Sequence, residues 1–572
     1  MKPKNSGPSA TQGNPEILSR LGFPLALAIT LLACLQIAST YKVFSQTWDE
    51  PAHLACGMEW LDHGTYTYEE LHPPIARVAV ALGPYISGLR LSGRYPNPQQ
   101  MWAEGNEILW GRGDYFENLT LARLGVLPFF IILVMTTWHW SRTLYGDSVA
   151  VAAVLLLASL PPVLAHAGLA TTDVPFTAMF TVALLAFTRW LDNPGRRRAI
   201  ELGAATALAT ATKFSALVFI PTCMLTLVLL RIWADRSVIR EWRQEAGTRI
   251  KALSLGIITA ALVIWGVYRF SFKPMTGPEQ RPHQTIDHYL GKEGRWHDWA
   301  EQLAENTPVP APEFFLGINR VRDIVTKGRK AFLLGEVRTT GWWYFFPVAL
   351  AVKTPIAFLI LMTLGVFVMT EKWKGSGDWH VLLPGVTALT LLLVCLPTKF
   401  NIGLRHILPI YPFLAMLAAL AVVRLWNAHR MRLLSRFIAI GLVAWQLVTT
   451  ARAYPDYLAS FNEFAAGHPE RILVDSDLDC GQDLLRLVAK LNQLHVRELS
   501  ISYNGSADLT RHGLPPYQRL VPFEHTRGWV AISLYRLKTG GSEAPPNAYS
   551  WLEAYRPVAL VGKSIRLYYI PE

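Results

Sequence analysis

Residues 199–231 read AIELGAATALATATKFSALVFIPTCMLTLVLLR, an apolar stretch with a lysine, Lys213, near its middle. The stretch is longer than the roughly 20 residues one bilayer crossing needs. It is either one long kinked helix or two spans, 199–212 and 214–231, that turn at Lys213. The choice matters because each added span moves every later loop to the other side of the membrane. The basic loops decide it. "DNPGRRR" (192–198), "RIWADRSVIREWRQEAGTRIK" (231–251), "EKWK" (371–374) and "RLWNAHRMRLLSR" (424–436) all fall on one side when the stretch is split. Lys and Arg collect in cytoplasmic loops, so that side is read as the cytoplasm.

The same reading extends along the chain. Spans are expected at 21–43, 119–140, 148–166, 173–191, 199–212, 214–231, 251–270, 343–369, 380–397, 406–424 and 434–452. Of the 572 residues, 51% are hydrophobic and only 17% charged, with a mean hydropathy of +0.24. Such a chain is too apolar for an ordinary soluble protein. Its 20 tryptophans suit membrane interfaces. The expected fold class is mainly α: a polytopic membrane helical bundle of about eleven spans with interfacial helices and a small α/β extracytoplasmic C-terminal domain. The net charge of +12 does not indicate nucleic acid, because the basic residues sit in the short loops between spans. The five cysteines show no CxxC or Cys/His spacing, so neither a zinc site nor a disulfide framework is expected.

Three segments then fall outside: 44–118, 271–342 and a tail, 453–572. The expected organisation is a disordered cytoplasmic N-terminus (1–18), a transmembrane part (19–452) and the tail. "DEPAHLACGMEWLDHG" (49–64) and "HPPIARVAVALGPYISGL" (72–89) each have a polar or Pro start and a Gly stop. Both are too short to span and read as helices on the bilayer surface. In the tail, "RILVD" (471–475) reads as a strand, "GQDLLRLVAKLNQL" (481–494) as a helix and "RELSISY" (497–503) as a second strand. More strand-like pieces lie at "WVAISLYRL" (529–537) and "SIRLYYI" (564–570).

Several polar groups stand at the outer ends of spans. "TWDEPAH" (47–53) carries Asp49, Glu50 and His53, with Asp49 and His53 one helical turn apart. A carboxylate there can act as a base or hold a divalent cation, and it can also simply cap a helix. "LHPPIAR" (71–77) carries His72 and Arg77, where the arginine can bind a lipid phosphate or snorkel to headgroups. "AHAGLATTDVPF" (165–176) opens a span with Asp173, which an N-cap role also explains. Lys213 needs water, a partner or a substrate, because lipid exposure is costly. "TKFNIGLRHILPIYPF" (398–413) carries Lys399, Arg405 and His406 in a short outer loop that is positive against the topology trend. By the assigned topology these groups share one side and one depth. Carboxylates beside Arg77, Lys213 and Arg405 are what transfer from a lipid phosphate requires: a base for an acceptor hydroxyl and positive charge for the departing phosphate.

With these motifs in order, the chain resembles the GT-C glycosyltransferases. The nearest group is family 39, the protein O-mannosyltransferase-like enzymes, with the aminoarabinose transferases to lipid A as relatives. The resemblance rests on Asp49-Glu50, on His72-Pro73-Pro74, on the Asp of "ATTDVPF", on "TKFSAL", on "GWWYFFPVALAVKTP" (341–355) and on "RHILPIYPF" (405–413). It covers about residues 20–450. Mannosyltransferases usually carry Lys where this chain has Arg77, and the tail lacks β-trefoil repeats. The tail's "DSDLDCGQDL" (475–484) through "SYNGSAD" instead resembles bacterial members.

The resemblance implies an inverting enzyme of the inner (plasma) membrane that moves a sugar from a polyprenyl-phosphate donor to an acceptor hydroxyl on the extracytoplasmic side. Acceptors from lipid, glycan to protein remain open, and no nucleic acid is involved. Asp49 would be the base, with Glu50 and Asp173 beside it in the catalytic group. Arg77, Lys213, Arg405 and His406 would hold the donor phosphate. His53, His72 and Glu336, the last in "LLGEVRTTGWW" (333–343), would contact acceptor or sugar. A divalent metal (Mg, Mn, Ca or Zn) on Asp49 and Asp173 is a candidate cofactor. The rival reading is a transporter or flippase of a lipid-linked glycan, which intramembrane charges also suit. Neither repeated halves nor discontinuous helices are evident in the sequence.

Overall fold

The computed structural model describes residues 15–275, 286–287 and 289–571. The expected disorder at 1–18 lies mostly outside these residues. Thirteen helices carry the chain to residue 267, of which the first eleven frame the site. They are α1 (Pro15–Ala38), α2 (Glu50–Asp62), α3 (Pro74–Ile86), α4 (Met101–Leu109), α5 (Tyr115–Leu124), α6 (Leu127–Tyr145), α7 (Asp147–Ala158), α8 (Pro161–Ala167), α9 (Asp173–Asp192), α10 (Arg196–Thr210) and α11 (Ala216–Ala234).

Among the described residues, eight helices are long and apolar enough to cross a membrane, or nine if the bent pair α7–α8 is one span. The eleven expected spans all coincide with helices, though not every helix is by itself long and apolar enough for a crossing. The α7–α8 pair bends by 67°, where Pro161 and Pro162 remove backbone donors. Helix α10 opens with three arginines and carries Glu201, so it is both short and too polar. Trp379–Cys395 is a shorter apolar helix. The expected span 343–369 breaks before Pro355 into Phe345–Lys353 and Ile356–Ser376. The stretch at Lys213 is two helices: α10 ends at Thr210 and α11 begins at Ala216.

The first outer segment packs as a unit. Residues Glu50 to Glu59 of α2 are all buried, so this helix is enclosed by protein and does not lie on a bilayer surface. Helix α3 shows an apolar edge, with Leu82 and Ile86 exposed. Two glycines set the contacts. A Cβ on Gly57 would stand 2.0 Å from the carbonyl oxygen of Arg77, and one on Gly105 equally close to that of Pro51. Only glycine lets α3 and α4 approach α2 this closely.

The tail carries a five-stranded sheet. Leu499–Ser502 pairs in parallel with Tyr517–Arg519 and with Gly528–Ser533. Gly528–Ser533 and Ala559–Val561 both pair antiparallel with Ile565–Ile570. The expected helix forms at Leu484–Gln493. The expected strand "RILVD" does not form: Leu473 and Val474 are buried, but the backbone there is a short 3₁₀ turn followed by loop. That loop has another task. Ser476 Oγ donates to the Ile402 carbonyl, and the Leu404 amide donates to Asp477 at 3.0 Å. A few residues on, the Trp48 amide donates to the Cys480 carbonyl and the Ser45 amide to that of Gln482. All five cysteines are free and buried.

Candidate active site

The chain leaves α1 and turns sharply into α2, and a buried ion pair fixes that turn. Both oxygens of Glu50 are taken by Arg123 of α5, from Nε at 2.8 Å and Nη2 at 2.9 Å. Glu50 also accepts from the Ala170 amide at 2.8 Å and the Thr47 amide at 2.7 Å. Arg123 donates its remaining hydrogens to the carbonyls of Tyr41, Phe44 and Ser45. Burial alone would raise the Glu50 carboxyl, but the Arg123 guanidinium holds it below its ordinary value. Such a saturated pair is a brace. Glu50, expected in the catalytic group, stands in the structure with both oxygens occupied.

Asp49, its neighbour, occupies the N-cap position of α2 without a side-chain capping bond. Its carboxylate is 28% exposed against 1% for Glu50, so Asp49 is the one that can meet a substrate. Arg405 donates to it from Nη1 at 2.5 Å. Burial pushes the carboxyl up, and the Arg405 guanidinium more than reverses this, holding it well below the usual carboxylate range. Arg405 is incompletely used: its Nε is buried without a hydrogen-bond partner. The second pair lies between helix ends. Asp173 starts α9, and Lys213, in the break between α10 and α11, donates to it at 2.6 Å. His166 Nδ1 lies 4.0 Å from the same carboxylate.

Arg77 has a different fate from the one expected. It is 1% exposed and ion-paired with Glu69. It donates to the Glu69 carbonyl at 2.9 Å, to the Tyr66 hydroxyl at 3.0 Å and to His53 Nδ1 at 3.1 Å. Glu59 gathers the same loop by accepting from Thr65, Thr67 and Tyr68. Arg77, expected at the donor phosphate, is thus enclosed by its own loop and ties the α2–α3 turn together. His53 is held neutral, since burial and then Arg77 push its pKa down to about 3. Because its Nδ1 accepts, the ring proton rides on Nε2. His72 packs edge-on against His53 at 5.2 Å, and its Nδ1 is buried without a partner.

The remaining expected residues divide. The ring of His406 sits among Phe219, Phe346 and Phe400, an aromatic setting unlike a phosphate cradle. Glu336 is exposed on the hairpin Ala331–Leu333 with Glu336–Arg338, ion-paired with Arg338 at 2.6 Å on its own strand. Glu336, expected at the acceptor or sugar, thus stands in a solvated surface pair. Among the described residues no group of three or more His, Cys, Asp or Glu could hold a metal. Asp49 and Asp173 are each neutralised by a cation, so the donor set does not fit a resident divalent ion. Sequence reasoning missed Arg123 and Lys353. Lys353 is buried and donates to the carbonyls of Leu458 at 2.7 Å and Asp477 at 2.6 Å. Both lie inside expected spans, the same signal that singled out Lys213.

The structure therefore joins Asp49 to Arg405 and Asp173 to Lys213. Around them lie three buried nitrogens that have no hydrogen-bond partner among the described residues: Arg405 Nε, His72 Nδ1 and His166 Nδ1. His72 is within electrostatic reach of Asp49, and His166 of Asp173 and Arg405. Such a site can accept a proton at Asp49 and offer donors to an anion.

Residues 117–265 match the family model described as dolichyl-phosphate-mannose-protein mannosyltransferase. This match bears out the resemblance to the mannosyltransferase-like GT-C group and, with it, the expectation of a membrane glycosyltransferase. No curated protein matches the chain. Among solved structures, the chain is similar to ArnT from Cupriavidus metallidurans, solved bound to undecaprenyl phosphate, at 13% identity, 95% of this chain, 97% of that one and a TM-score of 0.48. It is also similar to the oligosaccharyltransferase AglB from Archaeoglobus fulgidus, solved with an inhibitory peptide and a dolichol-phosphate. There the identity is 11%, covering 89% of this chain and 69% of that one, with a TM-score of 0.45.

Proposed function

We propose that this chain transfers a sugar from a polyprenyl-phosphate donor to an acceptor hydroxyl, with inversion, at the extracytoplasmic face of the inner membrane. The spanning part, 19–452, carries the chemistry and the tail, 453–572, supports it. The basic loops at 192–198, 231–251, 371–374 and 424–436 support this orientation. The observation that carries the reading is the Asp49–Arg405 pair, in which the arginine has a spare buried donor.

Paired with Arg405, Asp49 is a weak base, because its proton affinity is low. A donor phosphate competes for the same guanidinium. When Arg405 turns to the phosphate, Asp49 loses its partner and its proton affinity rises. The carboxylate then takes the proton of the acceptor hydroxyl. The acceptor oxygen attacks the anomeric carbon from the face opposite the phosphate. The bond from that carbon to the phosphate oxygen breaks, and its electron pair leaves with the phosphate. Arg405 and Lys213 stabilise the charge that grows there. Asp173 is a positioning residue, since its carboxylate holds the Lys213 ammonium at the helix break.

The test is Asp49→Asn in purified, folded protein with a polyprenyl-phosphate sugar. Transfer should fall by about 10²–10⁴-fold, as for loss of a positioned base. Unimpaired transfer would overturn the assignment.

A further inference from the structure

A second hollow, with charged side chains in its lining, lies away from the Asp49 cluster, where the helix Arg432–Ala453 meets the tail. Its volume is about 1070 Å³. Its acidic side chains already have partners. Asp456 pairs with Arg486 at 2.5 Å, Glu470 with Arg566 at 3.2 Å and Glu553 with Lys538 at 2.8 Å. Glu463 accepts from the Trp445 indole at 3.1 Å. Glu463 keeps its charge, yet six lining Arg and Lys side chains outnumber the four carboxylates, so the lining is net positive. Arg452, Arg471, Arg556 and Lys563 line the cavity from four separate segments, and among the described residues none has a side-chain hydrogen bond or an ion pair. All four are exposed to solvent, so their mutual repulsion is screened, and what an anion meets at the hollow is the net positive lining.

The position says which anion. Arg452 is in the last turn of a helix long and apolar enough to cross the membrane, and Tyr454 follows it. The mouth of the cavity is therefore at headgroup depth, where Tyr and Arg ordinarily sit. One turn back along the helix, Leu447 and Val448 are exposed and apolar, a surface on which acyl chains can lie. The topology signal does not account for these cations, because the basic loop with Arg430 and Arg432 is at the other end of this helix. We propose that the cavity binds the phosphorylated headgroup of an anionic membrane lipid. This stands apart from the transferase reading and needs no knowledge of the donor.

The full chain, purified in detergent, is titrated with phosphatidylglycerol, with phosphatidylcholine and with inorganic phosphate, and bound lipid is read by native mass spectrometry. The expected result is saturable, salt-sensitive binding of phosphatidylglycerol in preference to phosphatidylcholine. Inorganic phosphate should not displace it at equal concentration. Replacing Arg452, Arg471, Arg556 and Lys563 together by Gln should weaken binding by about tenfold or more. A control with Arg236, Arg240, Arg430 and Arg432 replaced by Gln should bind as the parent does. If the fourfold variant fails to fold by thermal unfolding, the pairs Arg452→Gln with Arg471→Gln and Arg556→Gln with Lys563→Gln should each show part of the loss. Parent-like binding by the cavity variants overturns the proposal, as does an equal loss in the control. Displacement by inorganic phosphate overturns the lipid assignment in favour of a free anion.

Discussion

Two adjacent carboxylates, Asp49 and Glu50, have opposite surroundings. Glu50 has both oxygens occupied, by one arginine and two backbone amides. Asp49 has one partner, Arg405, which still has a donor to spare. The same contrast separates Arg77, ringed by Glu69, Tyr66 and His53, from Arg405. A charge whose bonds are all used holds the chain in place. A charge with bonds to spare can take a ligand.

This contrast makes separable predictions. Replacing Arg123 by Met leaves Glu50 as an uncompensated buried charge. Thermal or denaturant unfolding should show about 3–5 kcal/mol of lost stability, and Glu50→Leu in the same chain should recover much of it. Arg405→Met should behave differently. Transfer should fall by about 10²–10³-fold, as when one donor to a developing negative charge is removed, with thermal unfolding changed far less than by Arg123→Met. If Arg405→Met unfolds the protein as readily, the distinction between brace and ligand site collapses.

The carboxyls of Asp49 and Glu50 are both depressed in the folded chain. A depressed carboxylate contributes stability that is present above its unfolded pKa, about 4, and is lost as pH falls toward the folded value. Unfolding midpoints should therefore be insensitive to these two groups from neutrality to about pH 5 and fall below about pH 4. Removing Arg405 should shrink the Asp49 share of that acid limb. The smallest effect belongs to Glu336→Gln, where an exposed pair should be worth about 1 kcal/mol or less and transfer should be unchanged.

The division at Lys213 is legible because the basic loops fall on one side only when the stretch is split, and because a charge in an apolar run demands a reason. Arg123 gave the same signal within an expected span and went unread, since its partner Glu50 lies 73 residues away. That Asp49 and Glu50 have different roles could not be read from the dipeptide, because their partners come from distant helices. Arg77 and Arg405 look alike as letters. Only the folded loop from Glu59 to His72 reveals that Arg77 is enclosed by it. "RILVD" has the composition of a strand, but its neighbours Ser476 and Asp477 tie this stretch to residues 402–404, and the backbone follows that constraint.

That tie has a consequence for how the protein is made. Residues 476–482 are bonded to the chain just before Asp49 and to the loop just before Arg405. They leave the ribosome after every spanning helix. During biogenesis the two halves of the pair are placed by separate crossings, and a segment made after all of them ties their loops together. A chain cut short after its final crossing has the spans and the paired residues, and lacks the segment that ties their two loops together.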